Sequence, residues 1–219
     1  MQDVVSRTFG ALATLSFHET KNLTCGEGGA LLINDPALAE RAEIVREKGT
    51  DRSRFFRGQV DKYTWVDVGS TWLPSDILAA VLLSQLEARE NIQARRRNLF
   101  DRYAAELGSW AKEGGVRLPV VLADREQAYH MFYMLLPDAD ARTRFLAHMK
   151  GRGILAVYHY IPLHSSPMGT TWGGDAEDCP VTTEVSDRLV RLPFYTSMTE
   201  AEQAEVIRAV LEFPGGVPR

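Results

Sequence analysis

Apolar and polar positions in the first part of the chain predict two strands joined by a polar loop. The apolar run at residues 11–15 predicts one buried strand, and the run at residues 30–33 predicts another. Between the two runs lie a polar turn that contains Lys21 and a glycine-rich stretch, Gly-Glu-Gly-Gly, at residues 26–29. The predicted order is therefore strand, lysine loop, glycine turn and strand.

Two helices are expected to follow these strands. Asp35 is a favourable N-cap, Pro36 a favourable first helical residue, and Gly49 a favourable stop for the first of them. Ser75, together with Asp76, is expected to cap a second, long helix that ends at two glycines, residues 114 and 115. Its apolar stripe has helical spacing and consists of Ile77, Leu78, Val81, Leu82, Leu86, Leu99, Phe100, Tyr103, Leu107 and Trp110.

The middle of this long helix is highly charged, and we place a domain boundary near Glu90. The three consecutive arginines at residues 95–97 are interpreted as a solvated face rather than an anion site. The polar and aromatic loop at residues 50–68 has two interpretations. It packs on its own domain, or it reaches across a dimer interface to the site of a neighbouring subunit.

The remaining chain is interpreted as a small α+β domain. Strands are predicted at residues 116–121, 129–136 and 154–160, with a short one at residues 189–194. Asp140 is expected to cap a helix that carries Phe145, Leu146 and Met149, and the spacing of Thr199 to Glu202 predicts a capping box at the last helix. Residues 1–9 carry no clear signal, and residues 214–219 are expected to be frayed.

Composition narrows the possible partners and compartment. The chain has 219 residues, 45% of them hydrophobic and 25% charged, and a formal net charge of −4. Such a charge gives no basic surface for nucleic acid. No apolar run approaches the length of a membrane span and no leader pattern opens the chain, so we expect a cytoplasmic protein. Cys25 and Cys179 are far apart and form neither a metal motif nor a disulfide framework.

Lys21 is the principal candidate for chemistry. Open α/β sheets bind ligands just beyond strand ends, and a partly desolvated lysine there can act as a nucleophile and form a Schiff base. Ser16 at the strand end could offer its hydroxyl to a phosphate, and the glycines would let backbone approach a flat ring closely. From the residues alone, the lysine can equally be a solvated surface residue and the glycines an ordinary tight turn.

Several motifs resemble those of one enzyme family. Residues 16–21, S-F-H-x-x-K, followed by G-E-G-G five residues after the lysine, resemble the cofactor-lysine motif of the DegT/DnrJ/EryC1/StrS sugar aminotransferases. The strings SFHETKN and FFRGQVDKYTW are similar to the branch that makes dTDP-4-amino-4,6-dideoxygalactose from dTDP-4-keto-6-deoxyglucose. The strings HMFY and YHYIPLH, at residues 130–133 and 158–164, also match family segments.

The resemblance implies the C-terminal part of a fold-type I transferase that depends on pyridoxal phosphate (PLP). Residues 1–90 would form a partial large α/β domain that carries the lysine loop, and residues 91–219 the small C-terminal α+β domain. In the family the lysine lies near the middle of a much longer chain. The N-terminal part, which supplies most of the contacts to the phosphate and the pyridine nitrogen, would therefore be absent here.

The same resemblance assigns roles to individual residues. Lys21 would hold PLP as a Schiff base and then move a proton between the reacting carbon and the cofactor. Ser16 and Thr71 would contact the cofactor phosphate. Thr71 stands where the wider family commonly has asparagine, and Leu73 where it has arginine; the threonine hydroxyl can still bond a phosphate, but the charged contact is lost. A related dehydratase branch has histidine in place of the lysine, and Lys21 argues against it.

Substrates and assembly also follow from the resemblance. Tyr160, His159 and His164 would lie near the substrate, which is expected to be a dTDP-4-keto-6-deoxy-hexose aminated at C4 with glutamate as donor. A metal site at the two histidines is not expected because no third ligand lies nearby. The active enzyme would be a homodimer with shared active sites. The alternative is a truncated, non-catalytic fragment or assembly partner that cannot hold PLP alone.

Overall fold

The computed structural model describes residues 10–214, and this part of the chain begins with a β-hairpin. Strands β1 (Leu12–Ser16) and β2 (Gly29–Ile33) pair antiparallel, with Leu12 opposite Ile33 and Ser16 opposite Gly29. The two predicted strands and the loop between them are confirmed. The expectation that the strands are buried is wrong, since their side chains are exposed or only half-buried. An apolar strand is buried only where other elements cover its faces.

The first helix begins at the predicted cap and ends at Arg46, shortly before the predicted stop at Gly49. A 3₁₀ turn (Pro36–Leu38) leads into α1 (Ala39–Arg46), and the carboxylate of Asp35 accepts a hydrogen bond of 2.9 Å from the Ala37 N–H. Gly49 follows with a φ of 71°, a conformation that glycine adopts without strain. The chain then forms a short, unpredicted helix, α2 (Arg52–Phe56), within the expected loop.

The predicted long helix is in fact two helices. Ser75 caps α3 (Asp76–Glu87) by accepting from the Leu78 N–H at 3.3 Å, and α4 (Arg89–Glu113) begins after Ala88. Ala88 has a φ of −86° and a ψ of 3°, which ends the α-helical geometry. The residues around it include neither glycine nor proline, so the apolar pattern alone continued through the break. The chain divides into two compact units between Arg89 and Glu90.

The second unit is mainly helical. After α4 it contains β3 (Tyr133–Leu135), α5 (Ala139–Gly151), α6 (Pro167–Thr171), α7 (Pro180–Arg188), β4 (Leu189–Arg191) and α8 (Glu200–Leu211). Strands β3 and β4 pair antiparallel, with Met134 opposite Val190. The capping box of Thr199 and Glu202 is confirmed at α8. Helix α5 is capped by Asp138, not by Asp140 as expected; Asp138 accepts from the Ala141 N–H at 2.7 Å.

The predicted strands of this unit are shortened or replaced by single bridges. Residues 116–121 and 154–160 form only the bridges Arg117–Leu135 and Val157–Arg191, so both strand predictions are wrong. Pro119 has no N–H to donate to a ladder, which explains why the first run cannot continue as a strand. In the second run Leu155, Tyr158 and Tyr160 are exposed, so no apolar layer supports a strand there.

Arg96 is buried in this unit, contrary to the expectation of a solvated arginine face. Arg96 is only 6% exposed. Its guanidinium donates hydrogen bonds to the carbonyl oxygens of Tyr129 (2.8 Å) and His130 (2.5 Å). A further bond of 3.1 Å reaches the Thr196 hydroxyl, and the guanidinium lies over the ring of Phe194. Burial lowers the pKa of Arg96 from its ordinary value. The neighbours at 95 and 97 are exposed, as expected.

Buried apolar residues are distributed very unevenly between the two units. Among the described residues, every buried hydrophobic side chain except Cys25 belongs to the second unit. Its largest fully buried side chains include Tyr103, Phe132 and Phe145. Many large apolar residues of the first unit are exposed, with Ile77 at 77% and Trp65 at 76%. Within residues 10–214, no helix has the length and apolar character needed to cross a bilayer.

Candidate active site

The loop that carries Lys21 is closed at its base by hydrogen bonds that join its two ends. At its base the Phe17 N–H donates to the Gly28 carbonyl (2.8 Å), and the Cys25 N–H donates to the Phe17 carbonyl (3.0 Å). Thr24 adds a hydroxyl bond to the same Phe17 carbonyl (3.1 Å). Because these bonds continue the pairing of β1 and β2, the polar loop is a defined projection from the hairpin rather than a free connection.

The glycines of this loop are required by its own packing. Gly26 has a φ of 88°, in the left-handed region that favours glycine. A Cβ on Gly28 would lie 2.7 Å from the Cys25 sulfur, and one on Gly29 would lie 2.9 Å from the Leu15 carbonyl oxygen. The glycine-rich stretch thus lets the loop fold back tightly against β1. This is the tight-turn role, and it leaves close approach to a ring as a separate prediction.

Lys21 lies at the outer end of this loop. Its backbone N–H donates to the His18 carbonyl (2.9 Å), which makes residues 18–21 a turn, and its side chain is exposed. Ser16 ends β1, and its hydroxyl, also on an exposed residue, accepts from the His18 N–H at 3.4 Å. One hydrogen-bonded loop therefore carries a primary amine and a hydroxyl, both on exposed residues.

Thr71 belongs to a different part of the same unit. It forms an isolated bridge with Glu47, and the neighbouring Trp72 N–H donates to the Arg46 carbonyl at 3.1 Å, so the segment is attached to the end of α1. Thr71 is exposed. Among residues 10–214 no hydrogen bond joins its side chain to Ser16 or Lys21. Of the three predicted cofactor residues, Ser16 and Lys21 therefore share one loop and Thr71 lies on another segment.

The three predicted substrate residues lie in the second unit. Tyr160 is 76% exposed, and its ring contacts the ring of His159 edge-on, with centroids 5.1 Å apart. His164 is bonded through Nε2 to the Thr183 hydroxyl at 3.1 Å, which anchors it to α7. Within the described ranges, no three His, Cys, Asp or Glu side chains are grouped to hold a metal ion.

Arg191 lies close to His159 and was not identified from the sequence. Its backbone exchanges two hydrogen bonds with Val157 (2.7 and 3.1 Å), and its Nη2 donates to the Tyr158 carbonyl at 3.3 Å. His159 Nδ1 and Arg191 Nε are both buried without a hydrogen-bond partner in the part of the chain described. Burial lowers the pKa of His159, and the positive charge of Arg191 lowers it further.

We expect His159 to titrate below the ordinary histidine pKa, because both burial and Arg191 disfavour the charged ring. In an Arg191→Gln variant its pKa is expected to rise part of the way back, since the charge is removed while the burial remains. An NMR titration of the histidine ring protons measures this. The control Arg152→Gln removes an arginine that pairs with Glu212, and it should leave the pKa of His159 unchanged. Equal values in wild type and Arg191→Gln would contradict the expectation.

The described residues fit PLP in two respects. Lys21 supplies an accessible amine, and Ser16 supplies an accessible hydroxyl on the same loop. A carboxylate partner for the pyridine nitrogen was expected from sequence outside this chain, and no residue here is assigned to it. His18 was missed as a candidate although it lies within the motif, because its contacts to Ser16, Thr20 and Glu27 become visible only in the folded loop.

Curated relatives are similar along nearly the whole chain. MJ1066, an uncharacterized protein of Methanocaldococcus jannaschii, is 30% identical over 211 residues, covering 93% of this chain and 54% of its own. The dTDP-4-dehydro-2,3,6-trideoxy-D-glucose 4-aminotransferase of Saccharopolyspora spinosa is 31% identical over 202 residues, covering 89% and 50%. GDP-perosamine synthase of Escherichia coli O157:H7 is 27% identical over 213 residues, covering 94% and 52%. The chain thus spans about half the length of these relatives.

Solved structures give the same picture of the fold. The aminotransferase TlmJ from Streptoalloteichus hindustanus superimposes with a TM-score of 0.81 at 25% identity, covering 94% of this chain and 52% of that chain. Helicobacter pylori PseC, an aminotransferase involved in the biosynthesis of pseudoaminic acid, has a TM-score of 0.81 at 22% identity, covering 96% and 55%. The predicted fold class is confirmed: the chain is part of a fold-type I aminotransferase fold.

The family itself is identified by a match along the chain. The family model described as DegT/DnrJ/EryC1/StrS aminotransferase matches residues 4–211, which include the lysine loop and nearly all of the second unit. Dependence on PLP is general to this family, and several of the named relatives are nucleotide-sugar aminotransferases. The chain is therefore a member of the DegT/DnrJ/EryC1/StrS aminotransferase family.

Proposed function

We propose that this chain carries the cofactor lysine of a PLP-dependent nucleotide-sugar aminotransferase. In this proposal glutamate gives its amino group to C4 of a dTDP-4-keto-6-deoxy-hexose, and the product is dTDP-4-amino-4,6-dideoxygalactose. One observation carries the proposal: a loop closed by backbone hydrogen bonds presents the Lys21 amine and the Ser16 hydroxyl together. Because the chain spans about half of its relatives, the proposal concerns the assembled enzyme.

Each residue has a defined task. When bound, PLP supplies an aldehyde that takes up the amino group and a ring that withdraws electrons from the reacting carbon. Lys21 would attach through Nζ, be released, and then carry the proton at that atom to and from the reacting carbon. The Ser16 hydroxyl would donate to the phosphate. Thr71 would offer its exposed hydroxyl to the phosphate in the site of a second subunit, so that the enzyme works as a homodimer.

The second unit would hold the sugar nucleotide. His159, whose pKa is lowered by burial and by Arg191, would hydrogen-bond to sugar hydroxyls through its ring nitrogens. Tyr160 exposes a ring on which a base or sugar can pack, and His164 is held in place by Thr183. The strings around Lys21 and in the loop at residues 50–68 support the dTDP-4-keto substrate. The name of the S. spinosa relative, a dTDP-sugar 4-aminotransferase, supports the same position and nucleotide.

Covalent trapping of PLP tests the proposal. The purified chain is incubated with PLP and reduced with borohydride, and peptides are mapped by mass spectrometry. We expect the pyridoxyl mass on the peptide that contains Lys21, in excess over the peptides that contain Lys62 and Lys112. Both comparison lysines are exposed, so general reactivity of surface amines would label all three alike. Uniform labelling, or none at Lys21, would overturn the proposal.

A second candidate function is that of a non-catalytic assembly partner. It is favoured by the first unit, which exposes large apolar side chains such as Ile77, Trp65 and Trp72 and buries only Cys25 among its described hydrophobic residues. Contiguous exposed apolar surface marks protein contacts. A chain that keeps its helical circular dichroism but gains no pyridoxyl mass at Lys21 would support this function over the first.

A further inference from the structure

His18 makes contacts to almost every functional part of the lysine loop. Its backbone N–H donates to the Ser16 hydroxyl at 3.4 Å, and its carbonyl accepts from the Lys21 N–H at 2.9 Å. It also forms an isolated bridge with Gly26 on the returning side of the loop. Both residues proposed to hold PLP from this loop are therefore attached to the backbone of His18.

The ring of His18 closes the loop a second time. Nδ1 lies 3.2 Å from the Thr20 backbone nitrogen and 3.0 Å from the Thr20 hydroxyl, while Nε2 lies 3.5 Å from a carboxylate oxygen of Glu27. A backbone N–H can only donate, so Nδ1 must be the acceptor and the neutral ring must carry its proton on Nε2. That proton faces the Glu27 carboxylate. The ring thus joins the residue before Lys21 to the glycine turn.

We propose that His18 is the positioning residue for Lys21, acting through an Nδ1 acceptor to Thr20 and an Nε2 donor to Glu27. It does not touch the cofactor. It sets the direction in which the chain leaves the 18–21 turn, and hence where the amine of Lys21 is presented relative to the Ser16 hydroxyl. An apolar residue at position 18 would leave the Thr20 N–H without its ring acceptor and let the turn vary. The inference rests on the proposed function only in taking PLP as the ligand of Lys21.

Two substitutions separate the Nδ1 contact from the bulk of the ring. His18→Asn places an amide oxygen at the δ position, where it can still accept from the Thr20 N–H, whereas His18→Leu keeps the volume and loses the acceptor. Glu19→Gln is the matched control, because Glu19 is an exposed neighbour in the same turn. NMR of ¹⁵N-labelled protein measures the Thr20 amide and the wild-type ring nitrogens, and borohydride trapping with PLP measures the rate at Lys21.

In the wild type we expect ring shifts of the Nε2–H tautomer. The Thr20 amide proton should move upfield in His18→Leu and remain near its wild-type position in His18→Asn and Glu19→Gln. Trapping at Lys21 should slow by about 10-fold in His18→Leu, because small displacements of a reacting group are costly, and recover largely in His18→Asn.

An Nδ1–H tautomer, or identical Thr20 shifts in the Leu and wild-type proteins, would overturn the proposal. Equal trapping by the Leu and Asn variants, at whatever rate, would overturn it as well. If wild-type Lys21 is not labelled while the Thr20 amide responds as expected, the proposed function fails and the link between His18 and the lysine turn is supported. The NMR arm does not depend on PLP, so the two failures are distinguishable.

Discussion

Replacing Lys21 with alanine is expected to abolish both PLP trapping on its peptide and amino transfer to the keto sugar. Lys21 is the lysine that the proposal places at the cofactor, and alanine offers no amine to replace the proton at Nζ. Loss of a positioned acid–base group costs about 10²–10⁴-fold in rate. Mass spectrometry of the amino sugar, formed from glutamate and dTDP-4-keto-6-deoxyglucose, measures the transfer.

Two further variants separate the amine from its charge and from general effects. Lys21→Arg keeps the positive charge but offers a guanidinium that is a poor nucleophile, so it should be as inactive as alanine. Lys112→Ala removes an exposed lysine near the end of α4 and should behave as wild type. Assays with a GDP-linked sugar in place of the dTDP-linked one test whether the enzyme is specific for the dTDP nucleotide. Activity retained in Lys21→Ala would remove Lys21 from the reaction.

Replacing Arg96 with methionine is expected to destabilise the second unit by about 3 kcal/mol. Methionine fills much of the same volume but removes the donor to the buried Tyr129 carbonyl oxygen and to the half-buried His130 carbonyl and Thr196 hydroxyl. Each unsatisfied buried group costs about 1–3 kcal/mol, and the methionine side chain and local relaxation recover part of the sum. Tyr129 is itself buried, and its ring packs edge-on against Phe100 of the core, so the loss reaches the core.

Urea unfolding followed by circular dichroism measures the change in the free energy of unfolding. Arg97→Met is the matched control, because Arg97 is exposed and only pairs with Asp101 at 3.5 Å on the surface of α4. Its loss should cost about 0.5 kcal/mol or less. An Arg96→Met protein as stable as Arg97→Met would show that the buried guanidinium does not hold the segment at residues 129–130 in place.

Local signals in the sequence predicted the elements whose cause is local. The hairpin follows from two apolar runs around a glycine turn, and the caps at Asp35, Ser75 and Thr199 follow from single side chains. Lys21 was identified because its motif is contiguous. The break at Ala88 has no signal in residue type, and the segment predicted as a strand at residues 154–160 pairs with β4 only at Val157.

Features that depend on distant residues could not be read from the pattern. Arg96 looks like its exposed neighbours until the carbonyls of residues 129 and 130 are placed around it. The sequence shows His18 only as one position of a motif, because its ring contacts to Thr20 and Glu27 form only in the folded loop. The boundary predicted near Glu90 lies next to the division between Arg89 and Glu90. The roles of Lys21, Ser16, Thr71, Tyr160, His159 and His164 remain predictions.

The uneven burial between the two units has a thermodynamic consequence. The heat capacity change on unfolding grows with the apolar surface that becomes hydrated. Because all described buried hydrophobic residues except Cys25 lie after Arg89, we expect the second unit to contribute most of that change. We therefore expect the hairpin and its lysine loop to open at a lower free-energy cost than the core of the second unit. A ligand that binds the loop would then add its stabilisation where the chain by itself has least.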